Sequence, residues 1–162
     1  SLVFYASMLE MLGRGHVLGI DVDLRAPNRA AVEAHPMSKR ITMLEGSSID
    51  SAVAARVREF AAGRRPVLVI LDSNHAHSHV LKELELYTPL VTRDSYCVVF
   101  DTIIEDMPPG SFPGRPWDRG NNPRTAIVEF LKTCGRFEVD AGMDTKLLIS
   151  SAPGGYLRCI KD

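Results

Sequence analysis

The sequence predicts an α/β domain built on a mainly parallel, doubly wound sheet with an antiparallel C-terminal edge. Three observations lead there. Short apolar runs of β type alternate with helical patterns along most of the 162 residues, as strand–helix–strand crossovers require. Two of those runs, Val67–Leu71 and Tyr96–Phe100, each end on an aspartate, Asp72 and Asp101, at the strand end where open parallel sheets bind ligands. The final stretch holds strand-like runs with no helix between them, which calls for a hairpin-type return.

Taken in order, Leu2, Tyr5, Leu9 and Leu12 share one face of a helix over residues 1–12, which Gly13 can end. His16–Val22 reads as a short strand running into Asp21-Val22-Asp23. Pro27–His35 is helical, with Pro27 in its first turn. Arg40–Leu44 is a strand, followed by Gly46-Ser47-Ser48, and Asp50 opens a helix to about Ala62 with Val53, Val57 and Phe60 facing inward. Gly63–Pro66 turns the chain into the Val67 strand, and the next helix covers Ser78–Leu86. After the Tyr96–Phe100 strand, Thr102–Asn122 is a long irregular segment rich in Pro and Gly, a length usually tied to function, and it is expected to be a mobile cover over the site. Asn122-Pro123 starts a helix to about Lys132. Phe137–Val139, Lys146–Ser150 and Tyr156–Ile160 read as three short strands, the last two joined through Pro153-Gly154-Gly155. The pattern describes a single domain over residues 1–162, without repeats or low-complexity tracts.

Composition narrows the function classes. An apolar fraction of 45% with 24% charged residues is that of a globular protein. A net charge of −1 supplies no basic field for nucleic acid or an anionic membrane, and no apolar run approaches the roughly 20 residues of a membrane span. Cys97, Cys134 and Cys159 are unclustered and odd in number, which points to a reducing, cytoplasmic compartment.

The residues that carry chemistry cluster after the strands. Asp21 and Asp23 follow the His16–Val22 strand, where an acidic residue accepts hydrogen bonds from a nucleotide ribose, or else caps the next helix. Ser47, Ser48 and Asp50 stand where small polar residues let an adenine approach the backbone, and equally where they cap a helix. The loop Asp72-Ser73-Asn74-His75-Ala76-His77 is dense in groups that bind a divalent metal or move protons, with His75 the candidate general base and His77 and His79 expected to be solvated or structural. Trp117, the only tryptophan, and Asn121 and Asn122 in DRGNNPR are candidate substrate contacts, against a plain helix start at Pro123. No G-x-G-x-x-G occurs, which disfavours a nicotinamide-dependent dehydrogenase.

With these pieces placed, the chain resembles the cephalosporin hydroxylase / rhamnosyl O-methyltransferase family. The segments SLVFYASMLEMLG, VLGIDVD, LEGSSID, VLVILDSNHAHSHVLKELELYTPLV, SYCVVFDT, RPWDRGNNPRTAIVEFL and KLLISSAPGGYLRCIK carry the likeness over nearly the whole chain. The resemblance implies a Rossmann-like class I methyltransferase sheet, S-adenosylmethionine as cofactor and a divalent cation, magnesium foremost. It assigns Asp21 to the cofactor ribose, Ser47 and Ser48 to the adenine-side turn, and Asp72 and Asp101 to the metal. Relatives often carry Glu before the second metal Asp; here that place is Phe100, so His75 or Glu105 is expected to complete the site. The family's first strand and its Gly-containing loop precede a segment like SLVFYAS, and this chain starts after them. It is therefore expected to behave as an N-terminally truncated, incomplete domain, to bind S-adenosylmethionine weakly or not at all by itself, and to associate into a homo-oligomer through exposed strand edges.

The resulting expectation is a metal-assisted O-methyltransferase acting on a hydroxyl of a sugar or another small molecule, without nucleic-acid or membrane partners. The alternative is an inactive remnant of the same fold that serves as a binding or assembly module.

Overall fold

A computed structural model describes residues 1–162. The chain forms two compact units, Ser1–Val57 and Arg58–Asp162, each with its own sheet.

The first unit contains α1 (Leu2–Met11), β1 (Val17–Asp21), α2 (Ala26–Glu33), a 3₁₀ segment at Pro36–Arg40, β2 (Ile41–Glu45) and most of α3 (Ser51–Ala61). β1 and β2 are parallel, with Val17 opposite Ile41 and Asp21 opposite Glu45. This is the strand–helix–strand unit read from the alternation. Ala6, Leu44, Val53 and Ala54 are buried; of the faces expected from spacing, Leu2, Tyr5, Leu9, Val57 and Phe60 are only half-buried, and Leu12, past the end of α1, is 70% exposed.

The second unit contains β3 (Val69–Leu71), α4 (His77–Tyr87), β4 (Tyr96–Val99), α5 (Pro123–Thr133), β5 (Phe137–Val139), α6 (Ala141–Leu147) and β6 (Tyr156–Cys159). Two 3₁₀ segments, Thr88–Leu90 and Thr102–Asp106, follow α4 and β4. The sheet order is β3-β4-β6-β5. β3 and β4 are parallel, while β6 runs antiparallel to both β4 and β5. The core joins Leu71, Cys97 and Val99 of the sheet to Val80, Leu84 and Tyr87 of α4 and Ala126, Ile127 and Phe130 of α5. Parallel strands joined through helices, with an antiparallel C-terminal edge, are the expected α/β, Rossmann-like architecture.

Four details correct the sequence reading. Lys146–Ser150 is not a strand. Asp140 caps α6 by accepting a hydrogen bond from Gly142 N at 3.0 Å, the helix takes in Lys146 and Leu147, and Leu148 then adopts a left-handed φ of 62°. Leu148 and Ile149 are 86% and 93% exposed, so no sheet face is there to bury the alternation that suggested a strand. Consequently β6 does not pair with its supposed hairpin neighbour; it inserts between β4 and β5. Gly155 permits this, because a Cβ there would stand 2.2 Å from the Val99 carbonyl oxygen, which lies beside the Val99 N–H bond to Gly155 O. The β3 ladder starts two residues late, since Val67 N donates to the Thr92 side chain instead of a strand partner. Finally, Thr102–Asn122 is not irregular throughout: its first five residues form the 3₁₀ segment.

The three cysteines are free thiols, two of them buried. Burial pushes the Cys97 thiol well above its ordinary range, with the Glu83 charge adding to it. No helix is long and apolar enough to cross a membrane.

Candidate metal and cofactor residues

Leu71 and Val99 are register partners at the carboxyl ends of two adjacent parallel strands. Asp72 and Asp101 therefore leave the sheet at the same edge. The ladder closes with Phe100 N donating to Leu71 O at 3.0 Å. Asp101 then turns sharply, with φ 56° and ψ 26°, into the following 3₁₀ segment. A left-handed conformation costs a non-glycine residue about 1–2 kcal/mol, and Asp is one of the few residues that visit it routinely. Strain of this kind collects at functional sites.

One ligand atom from each of Asp72, His75 and Asp101 lies within 4.8 Å of the others. His75 Nε2 is 3.1 Å from Asp101 Oδ2 and 3.8 Å from Asp72 Oδ1. Burial, followed by the Asp101 charge, raises the Asp72 pKa above the ordinary carboxylate value, and His75 opposes this in part. Two carboxylates forced together need positive charge between them. Hard carboxylate oxygens at this spacing suit a divalent cation such as magnesium, so Asp72 and Asp101 fit the group that the sequence resemblance implies, with the His75 imidazole beside them. Of the two residues expected to make up for Phe100, His75 is the one that converges. Glu105 is turned elsewhere: Oε2 accepts from Gly120 N at 2.8 Å and Asn122 Nδ2 at 2.5 Å, and these bonds hold its pKa below the ordinary value.

The loop carrying Trp117 lies against the cluster. The Trp117 and His75 ring centroids are 4.9 Å apart, and the Arg115 guanidinium sits 5.2 Å from the Trp117 centroid. Trp117 thus walls the cluster on the His75 side. Far from hanging free, this loop is tied at several points. Asp118 Oδ2 accepts from Gly110 N at 2.6 Å, and Glu105 holds Gly120 and Asn122 as described.

The two asparagines are placed differently from expectation. Asn122 is fully buried. Its Oδ1 caps α5 by accepting from Arg124 N and Thr125 N, and Thr125 completes a capping box. Its Nδ2 donates to Glu105 and to Asp118 O. That leaves no surface for a substrate, which corrects the expected role for Asn122. Asn121 is exposed, but it acts as a bridge: Oδ1 accepts from His77 N at 3.0 Å and Nδ2 donates to Pro116 O at 2.5 Å. His77 is structural, bonding Thr125 Oγ1 at 2.8 Å and facing Glu129 Oε2 at 3.1 Å.

In the first unit, Asp21 ends β1, and the turn Gly46–Asp50 follows the end of β2 beside it, with Gly46 N donating to Asp21 O at 2.9 Å. Asp21 and Asp23 are exposed, and Asp21 Oδ1 accepts from Asp23 N at 3.0 Å. Gly46 has φ 143°, and a Cβ there would meet Val53 Cγ2 at 2.8 Å, so the turn keeps an open, small backbone next to Asp21. Ser48 is buried. Asp50 is a helix cap, its Oδ1 accepting from Ala52 N at 2.7 Å and Val53 N at 3.3 Å. The arrangement suits an acidic ribose contact at Asp21 and close approach at Ser47, with Asp50 supporting the turn.

Sequence reasoning missed Glu83. Its signal was available: a charged residue on the same helical face as Val80, Leu84 and Tyr87, all of them buried.

Comparison with known proteins identifies the family. The profile of the Rhamnosyl O-methyltransferase/CmcI family matches residues 1–160. Rhamnosyl O-methyltransferases of Mycobacterium tuberculosis (strain H37Rv) and Mycobacterium bovis are each 30% identical over 167 residues, covering 97% of this chain and 61% of their own length. That of Mycobacterium leprae is 28% identical, covering 97% of this chain and 65% of its own. The chain thus spans somewhat under two thirds of the relatives it matches. Among solved structures, the MycE methyltransferase of the mycinamycin biosynthetic pathway, in complex with Mg and SAH, aligns over 74% of this chain and 28% of its own, at 19% identity and a TM-score of 0.47.

Proposed function

Since the chain belongs to the Rhamnosyl O-methyltransferase/CmcI family, we propose that it is part of an enzyme that methylates a hydroxyl of a sugar or a similar small molecule. S-adenosylmethionine is the donor and a divalent cation, magnesium foremost, assists. The observation that carries this reading is the convergence of Asp72, His75 and Asp101 at the ends of two neighbouring parallel strands.

When bound, the donor supplies a methyl group already labile on sulfur, and the cation lowers the pKa of the acceptor hydroxyl. The protein's own work is to position and to move a proton. Asp72 and Asp101 would hold the cation through carboxylate oxygens. His75, beside the two carboxylates and acting as proton acceptor instead of third ligand, would take the acceptor hydroxyl's proton on Nε2. The imidazolium so formed faces Asp101 Oδ2 at 3.1 Å, a charge-assisted contact that favours it. Trp117 stacks on the apolar face of the acceptor ring and helps to exclude water. Asp21 would accept from the donor's ribose hydroxyls, Asp23 would flank it, and Ser47 and Ser48 would border its adenine. The free thiols are consistent with work in the cytoplasm.

The test is methyl transfer from labelled S-adenosylmethionine to rhamnosides and other sugar acceptors by the whole enzyme of which this chain is proposed to be part. We expect transfer that is abolished by a chelator and restored by magnesium. His75→Ala should reduce it by about 10²–10⁴-fold, the usual weight of a general base. Transfer that proceeds undiminished in chelator would overturn the metal assignment. Manganese binding without any transfer would favour a binding or assembly module instead.

A further inference from the structure

Glu83 lies on the inner face of α4, among Val80, Leu84 and Tyr87, and its side chain is 3% exposed. Burying a carboxylate is costly, and an apolar side chain of similar volume would hold the helix at least as well. What sets Glu83 apart is what it touches. Oε1 accepts a hydrogen bond from Ser73 Oγ at 2.7 Å and lies 3.6 Å from His79 Nε2. His79 Nε2 is in turn 3.3 Å from Ser73 Oγ. Oε2 has no hydrogen-bond partner within the protein.

Ser73 directly follows Asp72. The Asp72–His77 loop is consequently held at two points. At its exit, Asn121 accepts from His77 N, and Thr125 and Glu129 hold the His77 ring. At its entry, Glu83 holds Ser73. Asp72 and His75 are carried on this doubly tied loop. We propose that Glu83 is a positioning residue for the metal centre: through Ser73, with His79 as a second brace, it fixes the loop entry so that Asp72 faces Asp101 and His75. This rests on reading Asp72, His75 and Asp101 as that centre. Ligand residues that must hold a fixed geometry depend on such outer supports.

Manganese titration of the protein, followed by the electron paramagnetic resonance signal of free Mn²⁺, tests the inference, with thermal midpoints measured alongside. Glu83→Leu is expected to keep or raise the midpoint while weakening Mn²⁺ binding about 10–100-fold, the range for lost outer-shell partners. Glu83→Gln, which keeps an acceptor oxygen for Ser73, is expected to recover most of the affinity. Ser73→Ala is expected to weaken binding as Glu83→Leu does. Ser73 is exposed, so its variant keeps the test open if Glu83→Leu fails to fold. Ser73→Ala and Glu83→Leu binding Mn²⁺ as tightly as the unaltered protein would overturn the inference alone. An unaltered protein that binds no Mn²⁺ would overturn the metal reading and this inference with it.

Discussion

Asn122 links the loop that carries Trp117 to the start of α5, and its replacement has a cost that can be worked from the contacts. Asn122→Ala removes a helix N-cap worth about 1 kcal/mol. It also removes the Nδ2 donor to Glu105 and to the Asp118 carbonyl. A hydrogen bond to a charged group contributes about 1.5–3 kcal/mol and one to a carbonyl about 1 kcal/mol, with the lower end apt for Glu105 because water can reach it. The expected loss is about 2–4 kcal/mol. Asn122→Asp separates the two roles. It still caps the helix, yet it replaces the donor with a carboxylate facing Glu105. In the native protein the Gly120 amide, followed by Asn122, holds the Glu105 pKa below its reference of 4.5. A depressed carboxylate contributes stability above its unfolded value and loses it as pH falls through the folded one. Native stability from this contact therefore declines below about pH 4.5. In Asn122→Asp the like charges repel at neutral pH, and protonation relieves them, so the deficit against the native protein narrows on going from pH 7 to about pH 4. Urea denaturation at both pH values measures this, and the fluorescence of the lone Trp117 reports whether the loop loosens first. A loss under about 0.5 kcal/mol for Asn122→Ala, or an Asn122→Asp deficit that grows on acidification, would refute the reasoning.

Other outcomes follow from the same contacts. Gly155→Ala places a methyl group 2.2 Å from the Val99 carbonyl oxygen and should cost about 1–3 kcal/mol in a denaturant titration, as overpacking does; an unchanged midpoint would mean that β6 can shift. Asp101→Asn keeps a residue suited to the left-handed turn but removes a ligand charge, so Mn²⁺ affinity should fall by at least the ~10–100-fold seen for outer-shell partners while the thermal midpoint changes little. Trp117→Ala should raise KM for a sugar acceptor more than it lowers kcat, with Trp117→Phe close to native; equal effects on both would remove the stacking role. β1 and β3 are each paired on one side only, by β2 and β4, and an open strand edge is a template for another strand. We therefore expect self-association in sedimentation velocity, and a strict monomer at high concentration would contradict it.

Much of the fold was legible because it depends on short-range periodicity. Apolar runs marked all six strands, with Lys146–Ser150 as a false seventh, and Asn122-Pro123 marked the start of α5. A strand that ends on Asp72 beside one that ends on Asp101 already placed two carboxylates at one sheet edge, since parallel neighbours must finish on the same side. Lys146–Ser150 was misread for a related reason: alternation declares a strand only if a sheet face exists to receive it, and that face is a tertiary fact.

The site divides along the same line. The sequence by itself determined which residue types stand at the strand ends: Asp21 after β1, Ser47 and Ser48 after β2, Asp72 and His75 after β3, and Asp101 after β4. Only the tertiary structure decided how they are used. It brought His75, not Glu105, to the two carboxylates, because Glu105 is claimed by Gly120 and Asn122. It buried Asn122 as a cap and set Glu83 beneath Ser73. Side-chain direction and partner choice depend on contacts between segments far apart in the chain. Those contacts are settled by packing and by the need of each buried polar group for a partner, and no local pattern of residues encodes that competition.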